Sequence, residues 1–369
     1  MSSVLPPMPP PLIPTFYEMK YYDPEWHAVV PRLPNLDCLH FSEKSSPYFD
    51  KIMHYFNLAT VERAGVLYGE YVLYKGLILV GGDGMVAKAA MAWEDKWGGN
   101  LFCDTFCNSG QFSDFKKTIL TEWNDIPVSI ESPIIFSHPH SDAYYHWALE
   151  TVTKNRFFTQ RPDNPLLVQS RDLKRLFQID LLYRALGSRP VMLQEQAAIK
   201  VKDPILSHEI MSDNSLHWLR KMACIPANTP GNRRIYLRRS PGNVRGRPGG
   251  GICETPEFIL FLKEYGFESI DFSDQELRVE EQVRMLDNAG IILAPHGGAL
   301  TNLAFLNPPL RVIEIVGSRT PRAVFTHIAS TLRLQYYGVY SPDFDENDNI
   351  IVDIDELRDI MRECVAQIA

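Results

Sequence analysis

Strands and helices alternate along the C-terminal part of the chain, and this alternation constrains the fold more than any other feature. Apolar runs predict strands at 234–238, 290–294 and 311–315, and helices are predicted at 278–288 and 321–333. Strands that alternate with helices of about 10–15 residues form a parallel sheet with helices on both faces. The sequence therefore predicts an α/β fold with a doubly wound C-terminal half.

A less regular alternation precedes this part. Strands are predicted at 133–137 and 166–169, helices at 142–158 and 171–186, and a polar segment rich in proline and glycine follows at 225–232. Such a segment marks a domain boundary. The predicted parts are a proline-rich arm at 1–35, an N-terminal domain at 36–225, a C-terminal domain at 226–352 and a last helix, packed back on the domains, at 353–369.

Composition excludes several classes of protein. With 37 Lys and Arg against 45 Asp and Glu, the formal net charge is −8, so no nucleic acid is expected as a partner. The six cysteines are scattered, which is typical of buried thiols in a reducing compartment. No signal peptide and no apolar run of bilayer-spanning length is recognisable, so we expect a cytoplasmic protein without a transmembrane segment.

The turn that follows the strand at 290–294 is a candidate anion site. Pro295 and His296 end the strand, Gly297 and Gly298 remove side chains, and a helix is predicted to begin there. This geometry directs free backbone N–H groups and a positive helix end at the space above the sheet edge. Asn302 adds a further side-chain donor. The alternative is a tight strand-to-helix turn in which His296 is a structural residue.

Arginines cluster at the mouth of the first C-terminal strand. Arg239 directly follows that strand, and Arg245 and Arg247 lie in a glycine-rich loop, a composition suited to bidentate capture of phosphate. A solvated basic loop is the alternative for the two loop arginines. Glu314, near the end of the strand at 311–315, is a candidate acceptor for ribose hydroxyls, or else a capping or solvent-facing residue.

A second candidate site lies in the N-terminal half. Asp142, His146 and Glu150 are spaced to share one face of the predicted helix. A histidine flanked by carboxylates is a plausible general base. Metal binding by His138, His140 and His146 is a weaker alternative because a proline interrupts the loop, and a purely structural helix face is a third.

Five elements, in order over roughly residues 130–340, resemble those of glycosyltransferase family 61. They are YYHWALE at 144–150, Arg238 and Arg239 followed by Glu254, EQV at 281–283, PHGGALTN at 295–302 and VIEI at 312–315. Cys253 stands where that family usually has asparagine, the order of Gly298 and Ala299 is reversed, and the arginine loop is longer. The first 130 residues do not carry the resemblance.

The resemblance implies a GT-B architecture, in which two Rossmann-like domains face each other across a cleft. It implies an inverting transfer of sugar from a UDP-sugar, such as UDP-xylose or UDP-GlcNAc, bound by the C-terminal domain, to a glycan or glycoconjugate held by the N-terminal domain. No metal or other cofactor is expected.

Each candidate residue has a place in this implied chemistry. We expect His146 or Asp142 to be the base, and Glu314 or Glu254 to hold the ribose. The residues expected at the diphosphate are Arg239, His296, Gly297, Gly298, Ala299, Leu300, Thr301 and Asn302. Those expected to line the acceptor side are His140, Tyr145 and Glu150.

Two other functions fit the same fold. A nucleotide-sugar or glycan-binding protein without activity would have lost the base, and a sugar-nucleotide epimerase of GT-B shape would release free sugar without an acceptor. A dinucleotide-dependent oxidoreductase is disfavoured, because no G-x-G-x-x-G follows a strand with an acidic residue about 20 positions later.

Overall fold

A computed structural model describes most of the chain. The described residues are 22–30, 35–50, 60–88, 109–138, 140–170, 173–187, 189–208, 212–226, 229, 231–239, 250–272, 276–318 and 324–366. Most of the predicted proline-rich arm, and the loop that carries Arg245 and Arg247, lie outside them. The chain divides into two compact units, Met1–Val30 with Thr60–Met211, and Pro31–Ala59 with Ser212–Ala369.

The first unit contains two sheets, whose strands are numbered here along the whole chain. The six-stranded sheet has the order β1 (Tyr22–Val30), β3 (Thr60–Leu67), β12 (Ile205–His208), β8 (Ile134–Phe136), β9 (Leu166–Gln169), β10 (Val191–Gln194). The five-stranded sheet has the order β6 (Val86–Lys88), β5 (Ile78–Gly81), β4 (Glu70–Tyr74), β11 (Ala198–Lys202), β7 (Ile130–Glu131). Strands β12, β8, β9 and β10 run parallel, whereas β4, β5 and β6 form an antiparallel meander.

Helical segments of the first unit surround these sheets. They are α1 (Gly110–Thr121), α2 (Tyr144–His146) with the π-helix Trp147–Thr151 and the 3-10 helix Val152–Phe158 that continue it, and α3 (Leu176–Leu186). The regular helix predicted at 142–158 is therefore wrong in type. The Thr151 hydroxyl donates to the carbonyl oxygen of His146, five residues earlier, at 3.0 Å, which accompanies the wider π-turn.

A fully parallel sheet forms the second unit. Its order is β14 (Phe267–Asp271), β13 (Arg233–Arg238), β15 (Ala289–Pro295), β16 (Arg311–Gly317), β17 (Gln335–Ser341), β2 (Leu39–Phe41). Without β2, and with β13 to β17 counted as strands 1 to 5, the order across the sheet is 2-1-3-4-5. This order is that of a doubly wound sheet. The predicted α/β fold with parallel sheets is confirmed.

Helices cover this sheet. They are α4 (Asp213–Ala223), α5 (Pro256–Glu264), α6 (Val279–Met285), the 3-10 helix Gly298–Phe305, α7 (Phe325–Leu332) and α8 (Ile354–Ala366). Leu357 and Met361 of α8 are buried in one core with Tyr236 of β13 and Phe261 of α5. The last helix therefore packs on the sheet of its own unit. None of the helices in the described ranges is long and apolar enough to cross a membrane.

Helix α4 groups with the second unit, whereas the predicted boundary at 225 assigned it to the N-terminal domain. The contact that ties it there is Arg220, whose guanidinium donates to the carbonyl oxygens of Ala304 and Leu306, both at 2.8 Å. These two acceptors lie at the end of the 3-10 helix Gly298–Phe305, so α4 helps to fix the segment that follows the candidate anion site.

Candidate active site

The candidate anion site lies where the order of the second sheet reverses. Strands β13 and β15 are parallel neighbours, with β14 on one side and β16 on the other. Arg239 follows the carboxyl end of β13, and His296 follows the carboxyl end of β15. In open parallel sheets, ligands bind outside the carboxyl ends of the strands at such a reversal.

The guanidinium of Arg239 is held against this turn. Its Nη1 donates to the carbonyl oxygen of His296 at 2.8 Å. A Cβ added at Gly297 would lie 3.3 Å from Nη1, and one added at Gly250 would lie 3.1 Å from Cζ, so both glycines leave room for the guanidinium. Burial lowers the pKa of Arg239. In the described part of the chain its remaining N–H groups meet no acceptor, which leaves them for an anion.

The ring of His296 is oriented by a buried carboxylate. Nδ1 lies 2.6 Å from Oε1 of Glu314, and the Tyr336 hydroxyl donates to Oε2 at 2.7 Å. The Glu314 side chain is fully buried, and burial together with that carboxylate raises the pKa of Tyr336 well above its ordinary value. Because Glu314 accepts at Nδ1, the other ring nitrogen, Nε2, is left for a ligand. The His296 side chain is 15% exposed.

The glycine turn continues into the 3-10 helix, and its amides divide into two groups. The N–H of Leu300 donates to the carbonyl oxygen of Gly297 at 3.0 Å, so this amide is used within the helix. The N–H groups of Gly298 and Ala299 precede that first bond and have no acceptor within the helix. These two amides therefore lie at the position where a helix start binds anions.

Two predicted residues of this segment point into the protein. The Asn302 amide donates to Oε1 of Gln282 at 3.0 Å and to the carbonyl oxygen of Ala299 at 3.1 Å. Thr301 is fully buried as well. The EQV element, which contains Gln282, thus anchors the PHGGALTN element from behind, a contact that their separate places in the sequence do not reveal.

Glu254 has a partner of its own. Its two carboxylate oxygens accept from Nε and Nη2 of Arg238 at 2.7 and 2.8 Å, a bidentate pair at the carboxyl end of β13. About a third of the Glu254 side chain is exposed, at 31%. Arg238 is therefore neutralised locally, and the free cation of the Arg238–Arg239 pair is Arg239.

The second candidate site is a cluster of two histidines and a carboxylate in the first unit. Nδ1 of His146 contacts Oε2 of Glu150, one turn later. Nε2 of His138 lies 3.0 Å from the same oxygen. Glu150 and His138 are fully buried, whereas the His146 side chain is 16% exposed. Like His296, His146 has Nδ1 on a buried glutamate and Nε2 left for a ligand.

Burial and neighbouring charge set the protonation of this cluster. Burial lowers the pKa of His138 to about 3, so its ring is neutral. Burial alone would raise the pKa of Glu150, but the two histidines outweigh it and hold that pKa below its ordinary range. The cluster is thus an anionic carboxylate between two imidazoles.

The same three side chains are the candidates for a metal ion among the described residues. One ligand atom from each of His138, His146 and Glu150 lies within 4.8 Å of the others. In a tetrahedral site, bonds of about 2.0–2.1 Å keep ligand atoms more than about 3 Å apart. Both nitrogens approach Oε2 of Glu150 at hydrogen-bonding distance or closer. This spacing fits a hydrogen bond between His146 and Glu150, with His138 in close contact, better than it fits coordination of one ion.

The other residues predicted for this site lie around the cluster. The His140 and Tyr145 rings are each 5.3 Å from the His146 ring, between centroids. Asp142 is exposed and precedes α2, whose N-cap is Ala143, so the prediction that it shares a helix face with His146 and Glu150 is wrong. The chain forms a turn at 140–143, which delays the start of the helix. Two residues contact the buried glutamates and were not predicted to do so. His138 was considered only as a possible metal ligand, and Tyr336 lies in a strand that carries no motif.

Two comparisons with known proteins bear on this geometry. A sequence profile of the family described as Glycosyltransferase 61 matches residues 26–313, which begins well before the first motif quoted above. Beta-1,2-xylosyltransferase RCN11 of Oryza sativa subsp. japonica is 30% identical over 66 residues, which are 18% of this chain and 12% of the rice protein. Since the profile match covers most of the chain, this protein belongs to glycosyltransferase family 61.

Proposed function

We propose that this enzyme transfers a sugar from a UDP-sugar to a hydroxyl group of a glycan or glycoconjugate, with inversion and without a metal ion. The observation that carries the proposal is the pair of histidines, one in each unit, whose Nδ1 meets a fully buried glutamate. UDP-xylose is the first donor to test, because the rice relative is named as a xylosyltransferase. UDP-GlcNAc is the second.

The proposal assigns the two units to the two halves of a GT-B enzyme. The parallel order of the second sheet, with Arg239 and His296 at its reversal, supports donor binding there. The partly exposed His146 supports acceptor binding by the first unit. In this proposal His146 acts on the acceptor hydroxyl, and His296 acts on the departing diphosphate.

The reaction is a single displacement. The acceptor oxygen forms a bond to the anomeric carbon while its proton passes to Nε2 of His146. The bond between that carbon and the diphosphate oxygen breaks, and its electron pair remains on the departing UDP. Arg239, His296 and the amides of Gly298 and Ala299 stabilise the charge that develops on the diphosphate.

The buried glutamates are orienting residues in this scheme. Both oxygens of Glu314 already have partners, so we assign it to His296 instead of the ribose. Glu150 holds the proton on Nδ1 of His146, which makes Nε2 the basic atom. Glu254 stays the candidate for the ribose, because its pair with Arg238 is partly exposed to solvent.

A panel of nucleotides tests which donor is recognised and whether its binding requires a metal ion. Thermal melting is followed with UDP, GDP, CDP and their sugars, in buffer that contains EDTA. We expect UDP and UDP-sugars to raise the melting temperature, because a ligand at 100 times its dissociation constant stabilises the folded protein by about 2.7 kcal/mol. EDTA should leave this effect unchanged, since protein cations and amides meet the diphosphate charge.

Two outcomes would contradict the proposal. One is the absence of stabilisation by every nucleotide. The other is stabilisation that EDTA abolishes and a divalent cation restores. Release of free sugar from a UDP-sugar without an acceptor would favour the epimerase instead, so the sugar products are analysed alongside.

A further inference from the structure

A buried histidine lies behind the proposed base and has no part in the scheme so far. The His138 side chain is fully buried, and its ring stacks on that of His146 with centroids 4.8 Å apart and an interplanar angle of 15°. Its Nε2 lies 3.0 Å from Oε2 of Glu150, the oxygen that His146 also contacts. One carboxylate oxygen therefore faces two imidazole rings.

A backbone contact fixes which nitrogen of His138 carries the proton. The N–H of His140 donates to Nδ1 of His138 at 2.9 Å, so Nδ1 is an acceptor. A neutral imidazole has one donor and one acceptor nitrogen, and the proton is therefore on Nε2, beside Glu150. The neutral ring therefore places its Nε2–H group 3.0 Å from the carboxylate oxygen, a close contact that lies outside hydrogen-bond geometry, and it adds no net charge.

The surroundings keep His138 neutral. The charged and titratable groups around it are Glu150 and His146 on the helical segment, His140 on the preceding loop and Lys154 one turn further on. The Lys154 ammonium donates to the carbonyl oxygen of Ser137 at 2.8 Å, and its charge disfavours a second proton on His138. Glu150 favours that proton, but burial outweighs it.

We propose that His138 is a positioning residue for glycosyl transfer, which holds the Glu150 carboxylate in place and shares its charge, so that His146 keeps Nδ1 protonated and presents Nε2 to the acceptor. This inference rests on the proposed role of His146 as the base. His138 itself touches neither substrate.

Sharing the carboxylate has a consequence for the pH dependence. Without the N–H of His138, Oε2 of Glu150 interacts with His146 alone and stabilises the protonated form of that ring more strongly. The acidic limb of the kcat profile should therefore move to higher pH.

Two substitutions at His138 distinguish the effect of losing its N–H group from the effect of losing its buried side-chain volume. His138→Gln places an amide N–H near the position of Nε2 and retains the donor to Glu150. His138→Asn retains an acceptor for the N–H of His140 but does not reach Glu150. UDP release from UDP-xylose, or from UDP-GlcNAc if that donor binds, is measured against pH with a saturating glycan acceptor.

We expect His138→Asn to lower kcat at neutral pH by about tenfold or more, with KM for the donor unchanged and the acidic limb displaced upward. His138→Gln should stay within about threefold of the unmodified enzyme. Equal losses in the two variants, an unchanged pH limb, or a loss confined to KM would overturn the proposal.

A measurement on the unmodified protein covers the case in which His138→Asn does not fold. Nitrogen-15 NMR of the histidine rings, assigned with His138→Gln, should show His138 as the neutral tautomer protonated on Nε2 at pH 7. A protonated ring, or the Nδ1 tautomer, would refute the inference. The NMR readout does not depend on catalysis. Full activity of His146→Ala, by contrast, would refute the proposed role of His146 as the base without bearing on the tautomer of His138.

Discussion

Replacement of His146 by alanine is expected to lower kcat by a factor of about 10²–10⁴, which is the usual contribution of a general base. The physical reason is the loss of Nε2, the atom that takes the acceptor proton in the scheme above. Glu150, which then has His138 as its remaining neighbour in the cluster, does not replace Nε2 because that carboxylate is fully buried. The rate is measured as UDP release from a UDP-sugar at a saturating concentration of acceptor.

The matched control is His217→Ala. His217 is an exposed histidine on α4, so the same change there should leave kcat unaltered. Both variants should stay folded and keep the affinity for UDP of the unmodified enzyme, and His146→Ala should melt at a lower temperature because the buried Glu150 carboxylate loses a hydrogen-bond partner. A loss smaller than tenfold in a folded His146→Ala protein would exclude His146 as the base.

Replacement of Arg239 by methionine is expected to lower kcat/KM for the UDP-sugar by about 10²–10³. Methionine preserves much of the side-chain volume but removes the guanidinium that lies against Gly250 and Gly297. Both kcat and KM for the donor should change. The guanidinium contacts the diphosphate of the bound donor, and it interacts more strongly as the bond to the sugar breaks and negative charge develops. Steady-state kinetics with varied donor separate KM from kcat.

Arg234→Met provides the control on the same strand. Arg234 lies at the opposite end of β13, where its guanidinium donates to the carbonyl oxygen of Tyr265. This variant should keep the kinetics of the unmodified enzyme while showing any general effect of losing an arginine from the strand. Equal kinetics in the two variants would remove Arg239 from the donor site.

The parallel sheet of the second unit is the part of the fold that the sequence predicts best. From β13 to β17, the next element along the chain before each following strand is a helix, or a final helix after β17, so local patterns are sufficient. The same locality explains the anion site, since a buried strand followed by Gly297 and Gly298 leaves few other conformations for the backbone. Strand β2 is the exception, because it pairs with β17 from almost 300 residues away in sequence.

The first unit was less predictable because its pairings are distant. Strand β11 pairs with β4, and β12 with β3, across more than a hundred residues. Local patterns indicate that such strands exist but not which partners they take. The segment at 144–158 shows another limit, since its apolar spacing suggests a regular helix and the side-chain bond of Thr151 accompanies a π-turn instead.

The residues expected to contact the substrates could be predicted from the sequence, but the residues packed behind them could not. Spacing alone placed His146 and Glu150 together, one helical turn apart. The partners behind them, His138 and Tyr336, come from a loop and from a strand, and their contacts depend on tertiary packing. The ribose role predicted for Glu314 depended on its position at a strand tip, where the structure shows both of its oxygens in use.

The stereochemistry of the product tests the central claim most directly. UDP-xylose and UDP-GlcNAc carry the sugar in the α configuration, so a single displacement with His146 as base yields a β linkage. The measurement is proton NMR of the new anomeric signal after transfer to a glycan in the presence of EDTA. The scheme predicts a β-linked product formed at an unchanged rate in EDTA, and an α-linked product would contradict it.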